Sequence, residues 1–486
     1  MHKKSRLHVN LIYNVSYQLL SILLPLITSP YITRVLGAGP LGLYSKSHSV
    51  ANYFFLFALL GVNNYGNRAI ARVRDDKSVT NRSFWEIYVF QALMSFLMSA
   101  GYILYCFLFT GSERYIYLLQ FFYVFSGLFD VNWFCYGMEQ FKLTTIRSTV
   151  IRLAILAGVF LFVHDASDLP VYTFILSMSF LLSALAIWPY VLRNTRFVRP
   201  TWAGIRKHIL PNLKLFWPVI AVSLYNIMDK ILLGAFSTNE EVAFYANAEQ
   251  IVTLPTLLLL ALDNVVMPRI SNSLARNETE KAQTLMNQVM MLAMLFSSGM
   301  AFGIAAISDV FAPWFYGQAF TRCGYFILLL SPTILFRGWA AALRTQFIIP
   351  TGRDRIYIIS LSAGAAVNLV LDIALIPGLA GVGAIIGTIA AEFSVAFIQF
   401  FMCRKDIPLK TYLKNGCAFI LIGLIMYVCV VSFKSLSWHP VPTLLMQMFA
   451  GVLLYMILAC AYMIKIAREP ALVNEGLKIL RIRKRF

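Results

Sequence analysis

The chain has 486 residues, 59% hydrophobic and 13% charged, with a mean hydropathy of +0.71 and a formal net charge of +19. Soluble domains average about 45–50% apolar and about 25% charged residues, so this chain has too little polar surface to cover a water-exposed globule, and the composition excludes one. A charge of +19 on a soluble protein would point to nucleic acid; the positions of the basic residues, described below, account for it without that partner.

A helix needs about 20 apolar residues to cross a bilayer. Met1–Arg6 is basic and precedes an apolar run, Val9–Ile32. That run exceeds the ~7–15 residues of a signal-peptide core and no clear small-residue cleavage site follows, so it reads as an uncleaved first span. The next runs are Tyr44–Val62, Phe84–Phe109, Tyr115–Tyr136, Ile146–Val163 and Pro170–Leu192, followed by the polar stretch Arg193–Lys214. Then come Leu215–Ala235, Ala246–Met267, Thr284–Ile307, Tyr325–Ile348, Ile356–Ile376, Val382–Met402, Gly416–Phe433 and Thr443–Ile464. The expectation is an all-α polytopic membrane protein of about fourteen spans.

Lys and Arg collect on the cytoplasmic side of membrane proteins. With the N-terminus inside, the cytoplasm receives Lys3, Lys4 and Arg6, the cluster Arg68–Arg82, Lys142 and Arg147, the Arg193–Lys214 stretch, Arg269–Lys281, Arg353 and Arg355, Arg404–Lys414, and the tail. The outside receives only Arg34, Lys46, Arg114, Arg322 and Lys434. A shift of one span would invert this bias. Most of the net charge is therefore topology, with some attraction to anionic lipid. The tail Ile466–Phe486 is expected to lie on the inner surface as a basic amphipathic helix.

A short internal repeat sets the domain expectation. Arg34-Val35-Leu36-Gly37 matches Lys230-Ile231-Leu232-Leu233-Gly234, and each is followed by a small-apolar-Tyr element, Gly42-Leu43-Tyr44 and Ala243-Phe244-Tyr245. The spacing from Tyr44 to Arg68 equals that from Tyr245 to Arg269. This predicts a six-span lobe over 1–192, a cytoplasmic linker over 193–214, a second six-span lobe over 215–402, two additional helices over 403–464 and a basic tail over 465–486.

Enzyme signatures are missing. The sequence contains no GxxxxGK[ST], HExxH or GxSxG pattern, its seven cysteines form no CxxC pair, and its histidines sit mostly in predicted loops or at span ends, where they read as interfacial groups and not as ligands. No cofactor or metal is expected. The informative residues are ionisable groups inside apolar runs, each costing about 2.5–3.5 kcal/mol at a helix centre: Asp130, Arg152, Asp229, Lys230, Asp263, Arg337, Arg344, Asp372 and Glu392. Arg337 and Arg344 are spaced to share a helix face, as are Glu392 and Gln399, and Asn368 and Asp372 are one turn apart. Such stripes fit the lining of a water-filled cavity. Arg34 and Lys230 lie at outer span ends, where basic residues are disfavoured; they read either as phosphate-headgroup contacts or as an anion-attracting mouth. Arg68 and Arg269 lie at inner ends, where basic residues are common. Pro25, Pro30, Pro218, Pro255, Pro332 and the Gly378–Gly387 stretch would allow bending and close helix approach.

The run Pro25-Leu26-Ile27-Thr28-Ser29-Pro30-Tyr31-Ile32-Thr33-Arg34-Val35-Leu36-Gly37 is similar to the opening of Wzx-type oligosaccharide flippases, the polysaccharide transporter family of the multidrug/oligosaccharidyl-lipid/polysaccharide exporter superfamily. Tyr65-Gly66-Asn67-Arg68, Asp229-Lys230 with Leu233-Gly234, Met267-Pro268-Arg269-Ile270-Ser271, Thr345-Gln346 with Ile349-Pro350, and Asn368 through Ile376-Pro377 to Gly383-Ala384 and Ala391-Glu392-Phe393 extend the resemblance along the chain. It implies two six-helix lobes plus two helices, an undecaprenyl-pyrophosphate oligosaccharide as substrate, alternating access, a bacterial inner-membrane location with both termini cytoplasmic, and membrane lipid and a polysaccharide polymerase as partners, with no nucleic acid. Arginine suits a pyrophosphate through its planar fork, which makes Arg34, Arg68, Arg152, Lys230, Arg269, Arg337 and Arg344 the candidate substrate contacts. Asp130, Asp229 and Glu392 are the candidates for coupling to an ion gradient. The alternatives are a multidrug exporter of the same superfamily, whose cationic substrates prefer an acidic cavity; a membrane-embedded enzyme, disfavoured by short external loops; and a membrane scaffold, disfavoured by the intramembrane charges.

Overall fold

The computed structural model describes residues 24–433 and 439–467, without the side chains at 225, 258 and 260–265. The basic residues Lys3, Lys4 and Arg6, Lys434, the side chain of Asp263 and the expected tail helix beyond 467 lie outside the described residues. Those described are predominantly helical, with no strand among them. They divide into two compact units, Met1–Ala243 and Phe244–Phe486.

The first unit opens with α1 (24–36), which breaks at Gly37, where φ is +76°, before α2 (Ala38–Leu59). A second break, Leu60 at φ +44° and Gly61 at +82°, turns the chain into α3 (Val62–Val73). Only glycine takes such angles freely. Asp76 then caps α4 (Lys77–Phe109), accepting the N–H groups of Ser78 and Val79. Those hydrogen bonds, with one from the Ser78 hydroxyl, hold the Asp76 carboxyl below its ordinary pKa.

The expected span Tyr115–Tyr136 is not a continuous helix. It is three short ones, α5 (Arg114–Leu119), α6 (Phe121–Ser126) and α7 (Asn132–Gly137). Backbone freed from a helix inside a bilayer must find other partners. Here Gln91, fully buried on α4, supplies them: its Nε2 donates to the carbonyls of Gly127 and Asp130, both at 2.8 Å, and its Oε1 accepts from Trp133 Nε1 at 2.9 Å. Asp130 Oδ1 completes the turn by accepting from Asn132 N at 3.1 Å and Nδ2 at 2.6 Å. After α8 (Phe141–Phe162), α9 (Leu169–Leu185) and α10 (Trp188–Asn194), the predicted polar linker is only partly irregular. Thr201 caps Gly204 N, and α11 runs from Trp202 to Phe236, well before the apolar run begins at Leu215.

The second unit takes in most of α12 (Asn239–Ala275), followed by α13 (Thr279–Tyr316), α14 (Thr321–Leu330), α15 (Pro332–Leu343), α16 (Asp354–Leu379), α17 (Gly381–Cys403), α18 (Leu409–Ser432) and α19 (Pro440–Lys465). The expected span Tyr325–Ile348 is a bent pair, with a 43° change of direction where Pro332 interrupts it. A π turn, Arg344–Ile348, follows α15. Helices α16 and α17 approach closely because glycines face the partner: a Cβ on Gly364 would lie 2.5 Å from Val395 Cγ2, and one on Gly383 would lie 2.6 Å from the Leu375 carbonyl carbon. Small residues at such contacts allow the dispersion packing that holds helices together in lipid.

By length and apolarity, eight helices qualify as membrane spans and two bent pairs raise the number to ten among the described residues. The multi-pass all-α architecture is as expected. Among the described residues the count of fourteen is not reached: Tyr115–Tyr136 is broken, Val9–Ile32 is only partly described, and α2 carries the polar run Ser45-Lys46-Ser47-His48-Ser49 within it.

Candidate functional site

The most developed polar site inside an apolar bundle lies in the second unit. Arg337 projects from α15 and Glu392 from α17. The guanidinium Nε donates to Glu392 Oε1 at 2.5 Å and Nη1 donates to Thr253 Oγ1 of α12 at 3.2 Å. The side chains are 15% and 7% exposed, so the pair is nearly sealed from its surroundings. A charge at membrane depth persists where a partner offsets its desolvation. The sequence assigned Arg337 to substrate and Glu392 to coupling; the fold joins them in one ion pair. Arg344 was expected to share the Arg337 face. It is the first residue of the π turn, and its guanidinium carbon lies 5.2 Å from the Tyr357 ring of α16.

The polar stripes on α16 and α17 are buried. Asn368, Asp372 and Gln399 are 0% exposed, and Gln399 Nε2 donates to Ser360 Oγ at 3.1 Å across the two helices. Where α16 begins and α17 ends, Arg353 Nη1 donates to Asp406 Oδ2 at 2.5 Å, which holds the Asp406 carboxyl below its usual range.

In the first unit the remaining candidates are dispersed. Arg34 is exposed and donates to the Pro30 carbonyl at 2.9 Å. Lys230 is half-buried and donates to the Asn226 carbonyl at 3.1 Å, Arg152 is half-buried on α8, and Asp229 is fully buried. Asp130 serves the turn described above. Arg68 on α3 and, in the second unit, Arg269 on α12 are both exposed.

Two clusters were missed by sequence reasoning. Glu86, on α4 and 0% exposed, accepts Arg82 Nε at 3.0 Å, Lys207 Nζ at 2.6 Å and His208 Nε2 at 3.2 Å, and Tyr65 Oη lies 2.6 Å from His208 Nδ1. Beside it, Trp85 Nε1 donates to the Arg196 carbonyl at 2.9 Å. An acid one turn after an arginine, at the start of an apolar run, was the available signal. The second cluster is His48 on α2, half-buried, whose Nδ1 lies 3.4 Å from Gln120 Oε1, which also accepts Ser177 Oγ at 3.0 Å. His48 and His208 thus lie within helices and not in loops.

Residues 7–274 match the family described as "Polysaccharide biosynthesis protein". The chain is 23% identical over 410 residues to an Escherichia coli (strain K12) protein assigned as an O-antigen transporter, covering 83% of this chain and 98% of that one. It is 24% identical over 348 residues to a protein of Haloferax volcanii assigned as a low-salt glycan biosynthesis flippase, covering 69% and 70% respectively. Among solved structures, the lipid II flippase MurJ in its inward closed conformation superposes with a TM-score of 0.78 at 14% identity, covering 94% of this chain and 100% of that one. An inward-facing multidrug resistance MATE family transporter gives 0.62 at 15% identity, over 80% and 96%. At these identities the structural likeness is one of fold.

Proposed function

The chain belongs to the polysaccharide biosynthesis protein family, and from that premise we propose that it is a flippase, moving a polyprenyl-pyrophosphate-linked oligosaccharide from the cytoplasmic to the outer leaflet for cell-surface polysaccharide synthesis. The observation that carries this reading is the family match over 7–274, supported by a transporter relative aligned over 98% of its own length. The protein works by alternating access in a bacterial inner membrane, with both termini cytoplasmic and a polysaccharide polymerase downstream. Exposed Arg68 and Arg269, at inner span ends, meet the pyrophosphate first and exposed Arg34, at an outer end, meets it last, because a guanidinium binds phosphate oxygens in pairs. Lys230, Arg152 and Arg344 are the half-buried contacts. Arg337 exchanges Glu392 for phosphate oxygens during passage. Two six-helix lobes with two additional helices remain the proposed domain plan.

Lipid-linked oligosaccharide sidedness in cells with and without the protein tests this reading. Depletion is expected to strand the oligosaccharide on the cytoplasmic leaflet. Wild type restores it, and Arg337→Ala does not. Unchanged sidedness on depletion would overturn the reading in favour of a multidrug exporter, the second reading favoured by the MATE-like fold. Efflux of cationic dyes would then be the measurement.

A further inference from the structure

We propose that residues 193–217 form a docking surface for anionic phospholipid, with one face of α11 seated in the bilayer interface and the arginines around it on lipid phosphates. This goes beyond the flippase reading: it assigns a membrane contact to the first unit and needs no transport substrate.

Helix α11 is longer than a crossing requires. Its 35 residues make about 52 Å of helix, against a hydrocarbon core of about 30 Å. The apolar run Leu215–Ala235 is long enough for the core, which leaves Trp202–Lys214 outside it. Those turns are not polar on their outer side. Trp202, Leu210 and Leu213 are 67%, 62% and 41% exposed, and Trp217, just inside the apolar run, is 58% exposed. With Arg206 they recur every three or four residues, so they form one stripe. The opposite side, carrying Ile205, His208, Asn212 and Phe216, is buried. An apolar stripe of this size marks a surface that something covers.

Charge identifies the cover. The segment holds Arg193, Arg196, Arg199, Arg206, Lys207 and Lys214, all exposed, and no Asp or Glu. Its irregular part is pinned to the opening of α4. Asn81 Oδ1 accepts Arg196 N at 3.1 Å, Trp85 Nε1 donates to the Arg196 carbonyl, and the Phe197 ring meets Trp85 edge-on at 4.9 Å. Arg82 and Lys207 share Glu86 in the same place. Three cations thus arrive from three stretches of chain, and Glu86 offsets one of them.

An apolar stripe flanked by basic residues is the composition of helices that lie about 5–10 Å into the boundary between headgroups and acyl chains. Each Lys or Arg near such a surface adds affinity for anionic lipid. Trp217 makes the stripe continuous with the exposed side of the span, and indoles gather at that boundary. This continuity favours lipid over a soluble protein partner. Pro211 and Pro218 give up backbone hydrogen bonds inside α11, which lets its opening turns lean away from the axis of the span.

Two measurements on the full-length protein test this. Native mass spectrometry with added phosphatidylglycerol or phosphatidylcholine gives the affinity for each lipid. A nitroxide at Leu210→Cys, in a background without native cysteines and in nanodiscs containing phosphatidylglycerol, reports depth through its exposure to oxygen and to a nickel chelate. Wild type is expected to bind phosphatidylglycerol more tightly. The triple variant Arg196→Gln, Arg199→Gln, Arg206→Gln is expected to lose about fivefold in that affinity for each charge removed. Removing three exposed cations of the second unit, with Arg276→Gln, Lys405→Gln and Lys410→Gln, is expected to leave it unchanged. The Leu210 label is expected to meet oxygen and not nickel. Three results would overturn the proposal: equal affinity of wild type for the two lipids, equal losses in the two triple variants, or a label open to nickel. The second would reduce the attraction to net charge, and the third would leave the stripe to a protein partner. The wild-type contrast and the label decide the matter even where a triple variant fails to fold. No lipid-linked sugar enters either measurement, so their failure leaves the flippase reading standing.

Discussion

Arg337 and Glu392 show why single charges in a membrane protein cannot be read in isolation. Each alone is a large desolvation penalty, and together they form a buried pair whose net contribution to stability is small. Removing one partner is therefore far worse than removing both. Glu392→Gln is expected to lower stability by about 3–5 kcal/mol, because it strands a buried guanidinium. The double variant Arg337→Leu with Glu392→Leu is expected to recover most of that loss and still fail to transport. Thermal unfolding in detergent, read beside the sidedness assay, separates the two effects. Both residues were legible in the sequence as ions within apolar runs. Their pairing was not, because it depends on α15 and α17 meeting at one level, and no spacing within either helix encodes that.

At the scale of helices, the sequence was most reliable where a single apolar run folds as a single rod. Phe84–Phe109, Ile356–Ile376 and Val382–Met402 fall within α4, α16 and α17. It failed at Tyr115–Tyr136, where hydropathy is uninterrupted and the helix is not. The break depends on Gln91, which lies on another helix and satisfies the carbonyls that the break releases. Gln91→Leu is expected to cost about 3 kcal/mol, since two buried carbonyls and the Trp133 N–H lose their partner. Differential scanning of the solubilised protein would register the loss, and hydrogen exchange is expected to localise it to residues 120–135.

For the molecule as a whole, composition alone fixed the solvent, and the bias of Lys and Arg supplied an orientation that geometry can test. Helix α4 has 33 residues, about 50 Å of helix, against a hydrocarbon core of about 30 Å. Its two ends must emerge on opposite sides. In a background without native cysteines, Asp75→Cys is expected to react with a membrane-impermeant maleimide only after permeabilisation, and Ser112→Cys to react in intact cells. The reverse pattern would invert the topology. The described residues part into compact units at Ala243–Phe244, while the plan of two six-span lobes, 1–192 and 215–402, rests on the internal repeat alone and stays a proposal.

The cluster around Glu86 has a practical consequence. One carboxylate binds Arg82 of α4 together with Lys207 and His208 of α11, so the first turns of these two helices are riveted at the N-terminal end of α4. Two nitroxide spin labels placed nearby, at exposed Val79 and Arg206, would keep a constant separation while substrate turns over. That pair is a built-in ruler: a distance that must not change, against which pulsed-resonance measurements elsewhere in the same unit can be calibrated.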